Sequence, residues 1–134
     1  MTRREAREAA IELIFEQEFK KDQKVEETIE NAAELREKKF SGFAKRLFTG
    51  AWENREEIDK KISEASKKWN IDRISKTSLA VSRIAVYELL FEESVPASVS
   101  INEALELLRH FGDFDSVSFV NGLLGTIAES CGKQ

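Results

Sequence analysis

Three arginines stand within the first seven residues of "MTRREAREAAIELIFEQEF", where a helix begins. Thr2 with Glu5 three residues on reads as a capping box, and Ala6, Ala9, Ala10, Leu13 and Ile14 follow at helical spacing to about Phe19. A helix N-terminus carries a partial positive charge, so Arg3, Arg4 and Arg7 occupy positions mildly unfavourable for cations. With Ala6 as zero, Arg3, Arg7 and Arg4 fall at roughly 60°, 100° and 160°, whereas Glu16, Glu5, Glu12 and Glu8 fall between roughly 200° and 280°. The charges are sorted by sign, with a concentrated cationic end at the rim of the apolar face. Such a break in local preference marks either a functional site or a solvated face. In the second case the arginines pair with glutamates one turn on, as Arg4 with Glu8, at a few tenths of a kcal/mol each.

The surrounding chain is acidic. Its 134 residues carry 21 Lys and Arg against 25 Asp and Glu, a net charge of −4, and 41% are hydrophobic, as expected of one globular domain. Every apolar run is interrupted by charge well short of about 18 residues and nothing reads as a signal peptide, so a cytoplasmic location without a membrane partner is expected. One cysteine, Cys131, and one histidine, His110, leave no Cys/His cluster, and neither metal nor cofactor is expected. No nucleophile with a base and no phosphate-cradling glycine loop can be assembled, so the reading is non-enzymatic. His110 reads as a partly buried helix residue.

One proline and six glycines among abundant Glu, Lys, Ala, Leu and Ile predict an all-α fold. After the first helix, Val25, Ile29, Ala32, Ala33 and Leu35 mark a second. Phe43, Ala44, Leu47, Phe48 and Ala51, continued by Ile58, Ile62, Ala65 and Trp69, mark a third that Gly50 is expected to divide. The join "NIDRISKTS" precedes helices from about Lys76 to Glu92, Ser100 to Phe111 and Ser116 to Ser130. Ser100 with Glu103 reads as a second capping box, and Gly112 and Gly132 as glycines just past helix ends. That makes about seven helices, or six if Gly50 does not divide the third. Lys and Arg balance Asp and Glu at 16 each over residues 1–70 but stand at 5 against 9 over residues 71–134. Two small packed helical bundles within one domain, about 1–70 and 71–134, are expected.

"RREAREAAIELIFEQE" and "VPASVSINEALELLRHFGDFDSVSFVNGLLGTIAES" resemble the N- and C-terminal signatures of the NusB family. "FAKRLFTGAWENREEID", "KKWNIDRIS" and "SRIAVYELLF" lie between them in that family's order and spacing, so the resemblance covers nearly the whole chain. It implies an all-α, non-enzymatic antitermination factor. Members of that family bind the single-stranded boxA element of nascent ribosomal RNA leaders together with NusE, a small-subunit ribosomal protein, and help RNA polymerase read through terminators.

The resemblance also implies where RNA is held. Arg3, Arg4 and Arg7 match the arginine-rich N-terminus and would bind phosphates, so neutralising them is expected to leave stability nearly unchanged. Phe111 and Phe119 match positions near RNA, with Phe114 an extra loop aromatic, although both also suit a core. Asp115 matches the loop acid, and Asp115 or Ser116 is equally the natural cap of the last helix. Asn121 is a further candidate, and Gly122 beside it suggests close helix packing. Ser118 stands where members commonly have lysine, removing one phosphate contact. On the partner side Phe15 matches an aromatic at the NusE contact, unless it packs with Phe19 on the second helix. Ser78 falls where some members carry a glutamate at that contact. A homodimer is left open, as is a helical protein–protein adaptor that binds no RNA.

Overall fold

The computed structural model describes residues 1–66 and 74–133; Trp69 and the start of the join, residues 70–73, lie outside them. The described residues form seven α-helices and no strand: α1 (Arg3–Phe19), α2 (Val25–Arg36), α3 (Gly42–Glu53), α4 (Arg55–Ser66), α5 (Lys76–Phe91), α6 (Ala97–His110) and α7 (Val117–Ser130). A short 3₁₀ turn, Phe114–Ser116, precedes α7. One apolar cluster runs through both halves of the chain, from Ala10, Leu13 and Ile14 of α1 through Leu47 and Phe48 of α3 to Leu108 of α6 and Leu124 of α7.

Local signals set several boundaries as expected. Thr2 and Glu5 form the reciprocal capping box of α1. Gly112, at φ 82°, and Gly132, at φ 69°, end α6 and α7 with left-handed backbone. Two boundaries differ. The third helix divides at Asn54 rather than Gly50, because the Asn54 side chain donates back to the Gly50 carbonyl. Gly50 answers a packing need instead, since a Cβ there would lie 2.1 Å from Tyr87 Cε1. Pro96 starts α6 earlier than Ser100 would, which turns Ser100 into a buried interior residue and abolishes the second capping box. Gly122 has nothing within 4 Å of an added Cβ and therefore serves no close packing. Leu35, placed on the apolar face of α2 by spacing, is exposed.

Buried polar groups lock the helices together. Arg7, only 3% exposed, donates through Nε and Nη2 to both carboxylate oxygens of Glu88, at 2.9 and 2.7 Å. Ser100 Oγ donates to the same carboxylate at 3.0 Å. Arg83 of α5 bridges Asp59 of α4 and Glu18 of α1. Gln17 donates to the carbonyls of Lys20 and Gln23 and accepts from Thr28, fixing the turn into α2. Arg46 of α3 and the Tyr87 hydroxyl both donate to Glu92. Burial favours the neutral acid there, but those hydrogen bonds outweigh it and hold the Glu92 carboxyl below its ordinary range.

Breaking a buried ion pair leaves an uncompensated charge, at a cost of roughly 3–5 kcal/mol. Arg7→Ala is therefore expected to lose about that much in urea unfolding, while Arg3→Ala stays within about 1 kcal/mol of the parent. Equal losses for the two variants would contradict this placement.

Candidate nucleic-acid interface

The three N-terminal arginines have three different environments. Arg7 is turned into the protein against Glu88 and cannot reach a ligand, which removes it from the expected phosphate-binding set. At roughly 100° on the wheel it faces α5, where the carboxylate waits. Neutralising all three arginines would accordingly disturb the fold, contrary to the expectation from sequence. Arg3 is exposed and sits over the Phe43 ring, its Cζ 3.9 Å from the centroid, in a cation–π contact. Arg4 is also exposed, and pairs with Glu103 of α6 through two hydrogen bonds at 2.8 and 3.2 Å rather than with Glu8.

Glu8 instead meets His110 Nε2 at 2.6 Å. His110 is exposed, not partly buried, because it ends α6 on the outer side of the α1–α6 contact. Arg4, Glu8, Glu106, Arg109 and His110 line a shallow cavity between these helices. Arg109 and His110 were not expected at the interface. Their only sequence signal is two basic residues in the last turn of a helix, where the dipole alone would explain them.

The α6–α7 connection supplies the polar and aromatic part. Phe111 caps α6, and its ring meets Phe15 of α1 edge-on at 6.2 Å. Phe114 is 66% exposed at the tip. Asp115, Ser118 and Asn121 are exposed, and Phe119 is partly buried against the core. Neither Asp115 nor Ser116 caps α7 through its side chain. Ser116 Oγ donates to Asp113, as does Ser75 Oγ of α5 at 2.7 Å. Asp113, which sequence reasoning passed over, is the acceptor that shapes the loop. Along α1, Arg4 and Phe15 lie about 16 Å apart. The exposed cations thus occupy one end of a strip and the aromatic loop the other, with Arg109 and His110 between them.

The partner candidates separate. Ser78 is fully buried and its hydroxyl faces the interior with no hydrogen-bond partner among the described residues, so it can touch no partner. It lies in the first turn of α5, where Ser75 is the cap and the helix turns Ser78 inward. Phe15 does not pack with Phe19, which is 84% exposed. Both instead border a cavity between α1 and α5, with Lys21, Lys76, Leu79 and Arg83 on its walls.

A family model described as the NusB family matches residues 4–129. The chain is 42% identical to the transcription antitermination protein NusB of Clostridium acetobutylicum over 132 residues, covering 97% of each. Its fold is similar to that of T. maritima NusB, with a TM-score of 0.82 and 36% identity over 96% of this chain and 92% of that one. It is also similar to a chain in a crystal structure of antitermination factors NusB and NusE with double-stranded RNA, at a TM-score of 0.81 and 25% identity over 97% and 99%.

If Asp113 organises the loop, Asp113→Ala releases two serine hydroxyls at the surface and costs about 1 kcal/mol in global stability. Amide hydrogen exchange over residues 112–117 is expected to quicken while that of α5 and α6 stays slow. Unchanged exchange in the loop would contradict this role.

Proposed function

The chain belongs to the NusB family, and from that premise we infer that it is a transcription antitermination factor. In this reading it binds boxA RNA of ribosomal RNA leaders together with NusE, so that RNA polymerase reads through terminators, and it carries out no catalytic step. The carrying observation is the exposed strip of Arg3, Arg4, Arg109 and His110 leading to the Phe111–Asn121 connection, on a chain whose net charge is −4. Its similarity to a NusB seen with NusE and RNA supports the same reading.

Arg3 and Arg4 act as phosphate ligands, positioning RNA without reading its sequence. Arg4 gives up its exposed link to Glu103 at little cost, because water solvates both groups once they part. Arg109, exposed and paired with Glu106 at 2.9 Å, supplies cationic charge where Ser118 provides none. Phe114 offers a face on which a base stacks, and Asp115, Ser116 and Asn121 offer acceptors and donors to base edges. NusE docks on the cavity beside Phe15, where an apolar floor is bordered by Lys76 and by Glu18 with its ion-pair partners Lys21 and Arg83.

Two experiments test these assignments. The double variant Arg3→Ala/Arg4→Ala is expected to stay folded, to bind every RNA sequence more weakly by a similar factor, and to show a log–log salt slope reduced by about 1.4. Parental affinity and slope would favour the adaptor reading, in which no RNA is bound directly. Phe15→Asp is expected to abolish NusE binding in pull-down assays with helicity by circular dichroism unchanged. Lost helicity would make Phe15 a core residue held by Phe111.

A further inference from the structure

A second cationic and aromatic face adjoins Arg3 on the side away from the α6–α7 connection. Arg3 and Arg46 share the Phe43 ring, their Cζ atoms 3.9 and 5.5 Å from its centroid, so the face is continuous with the N-terminal arginines. Beyond them a shallow depression between α3 and α5 is bordered by Lys45, Arg46, Thr49, Gly50 and Tyr87. Gly50 lets the Tyr87 ring lie directly against α3, where any side chain would collide with it, so the ring forms one border of this depression. Phe91 lies beside Tyr87, ring centroids 5.4 Å apart, and is 41% exposed although nothing in the helix requires an aromatic at that place. Glu92, which meets this face through Arg46 and Tyr87, is mostly covered, whereas Arg3 and Lys45 are exposed charge.

Cations along a shallow path beside an exposed aromatic ring match the chemistry that holds single-stranded nucleic acid, phosphates on the charges and a base on the ring. We propose that this α3–α5 face binds the flank of the same RNA, extending the strand from Arg3 over Arg46 and Lys45 to Phe91. The proposal rests on the RNA reading above. RNA is favoured over an acidic protein surface because the face continues the strip of Arg3 and Arg4 and adds an aromatic platform that carboxylates would not use.

The test measures fluorescence anisotropy with the full chain and saturating NusE, using a boxA oligonucleotide and the same oligonucleotide lengthened by about eight nucleotides at either the 5′ or the 3′ end, a length within the span such surfaces cover. One of the two extensions is expected to tighten binding about ten-fold, as one stacked base with added phosphate contacts would. Lys45→Gln is expected to lower the salt slope of that longer RNA by about 0.7 and to leave the short one unchanged. Phe91→Ala is expected to remove most of the ten-fold gain, with urea unfolding confirming that the variant is folded. The proposal is overturned if neither extension tightens binding, or if the gain survives both substitutions. It is equally overturned if Lys45→Gln and Phe91→Ala weaken NusE binding while sparing RNA, which would assign the face to a protein. RNA that fails to bind at any length overturns the RNA reading itself and this surface with it.

Discussion

The buried ion pair of Arg7 and Glu88 fixes how α1 is rotated, and the display of every neighbouring side chain depends on that rotation. Two charges out of water are tolerated only with complete pairing. Here both carboxylate oxygens accept from the guanidinium, Ser100 donates a further bond, and the Phe43 ring lies 5.3 Å from Arg7 Cζ. These partners come from α3, α5 and α6, so one side chain of α1 sets its relation to three helices. With Arg7 pointing inward, Arg3 is carried to the α3 side and Arg4 to the α6 side. Both remain at the surface as a consequence.

The structure also joins the two faces assigned to different ligands. Phe15 borders the α1–α5 cavity and at the same time meets Phe111, the residue from which the α6–α7 connection departs. Ser75, which caps α5 near that cavity, reaches across to Asp113 inside the connection. A ligand that orders the cavity wall therefore acts on groups that also shape the loop. Joint binding of partner and RNA needs no distant relay in such an arrangement. Adjacent packing and one hydrogen bond are the contacts that the two faces share.

Helices and caps were legible in the sequence because their causes are local. Apolar residues at 3.6 spacing, Thr2 with Glu5, and glycines past α6 and α7 act within a few residues, and the fold follows them. What was not legible depends on partners far along the chain. Glu88 lies 81 residues from Arg7, and nothing at the N-terminus announces it. Ser100 looks like a cap until Pro96 starts the helix a turn earlier, after which its hydroxyl serves Glu88. Gly50 looks like a helix breaker until Tyr87 is laid against it. Ser78 falls where some members of the family carry a glutamate at the partner contact, but the first turn of α5 rotates it into the core. Asp113, the acceptor for Ser75 and Ser116, is indistinguishable in sequence from the loop acid two residues on.

Cations at a helix N-terminus cost about 0.3–1 kcal/mol each, and the three arginines offset that cost in unequal ways. For Arg7 the comparison is one-sided, since removing it from its pair costs several times as much. Its presence is accounted for by tertiary structure and carries no information about ligands. For Arg4 the exposed link to Glu103 is worth no more than the dipole penalty it opposes, and for Arg3 the exposed contact with Phe43 is of the same order. Neither is held in place by stability. The violation of local preference that opens the chain therefore divides: one arginine belongs to the fold, and the remaining two are the ones for which an anionic ligand is the better account.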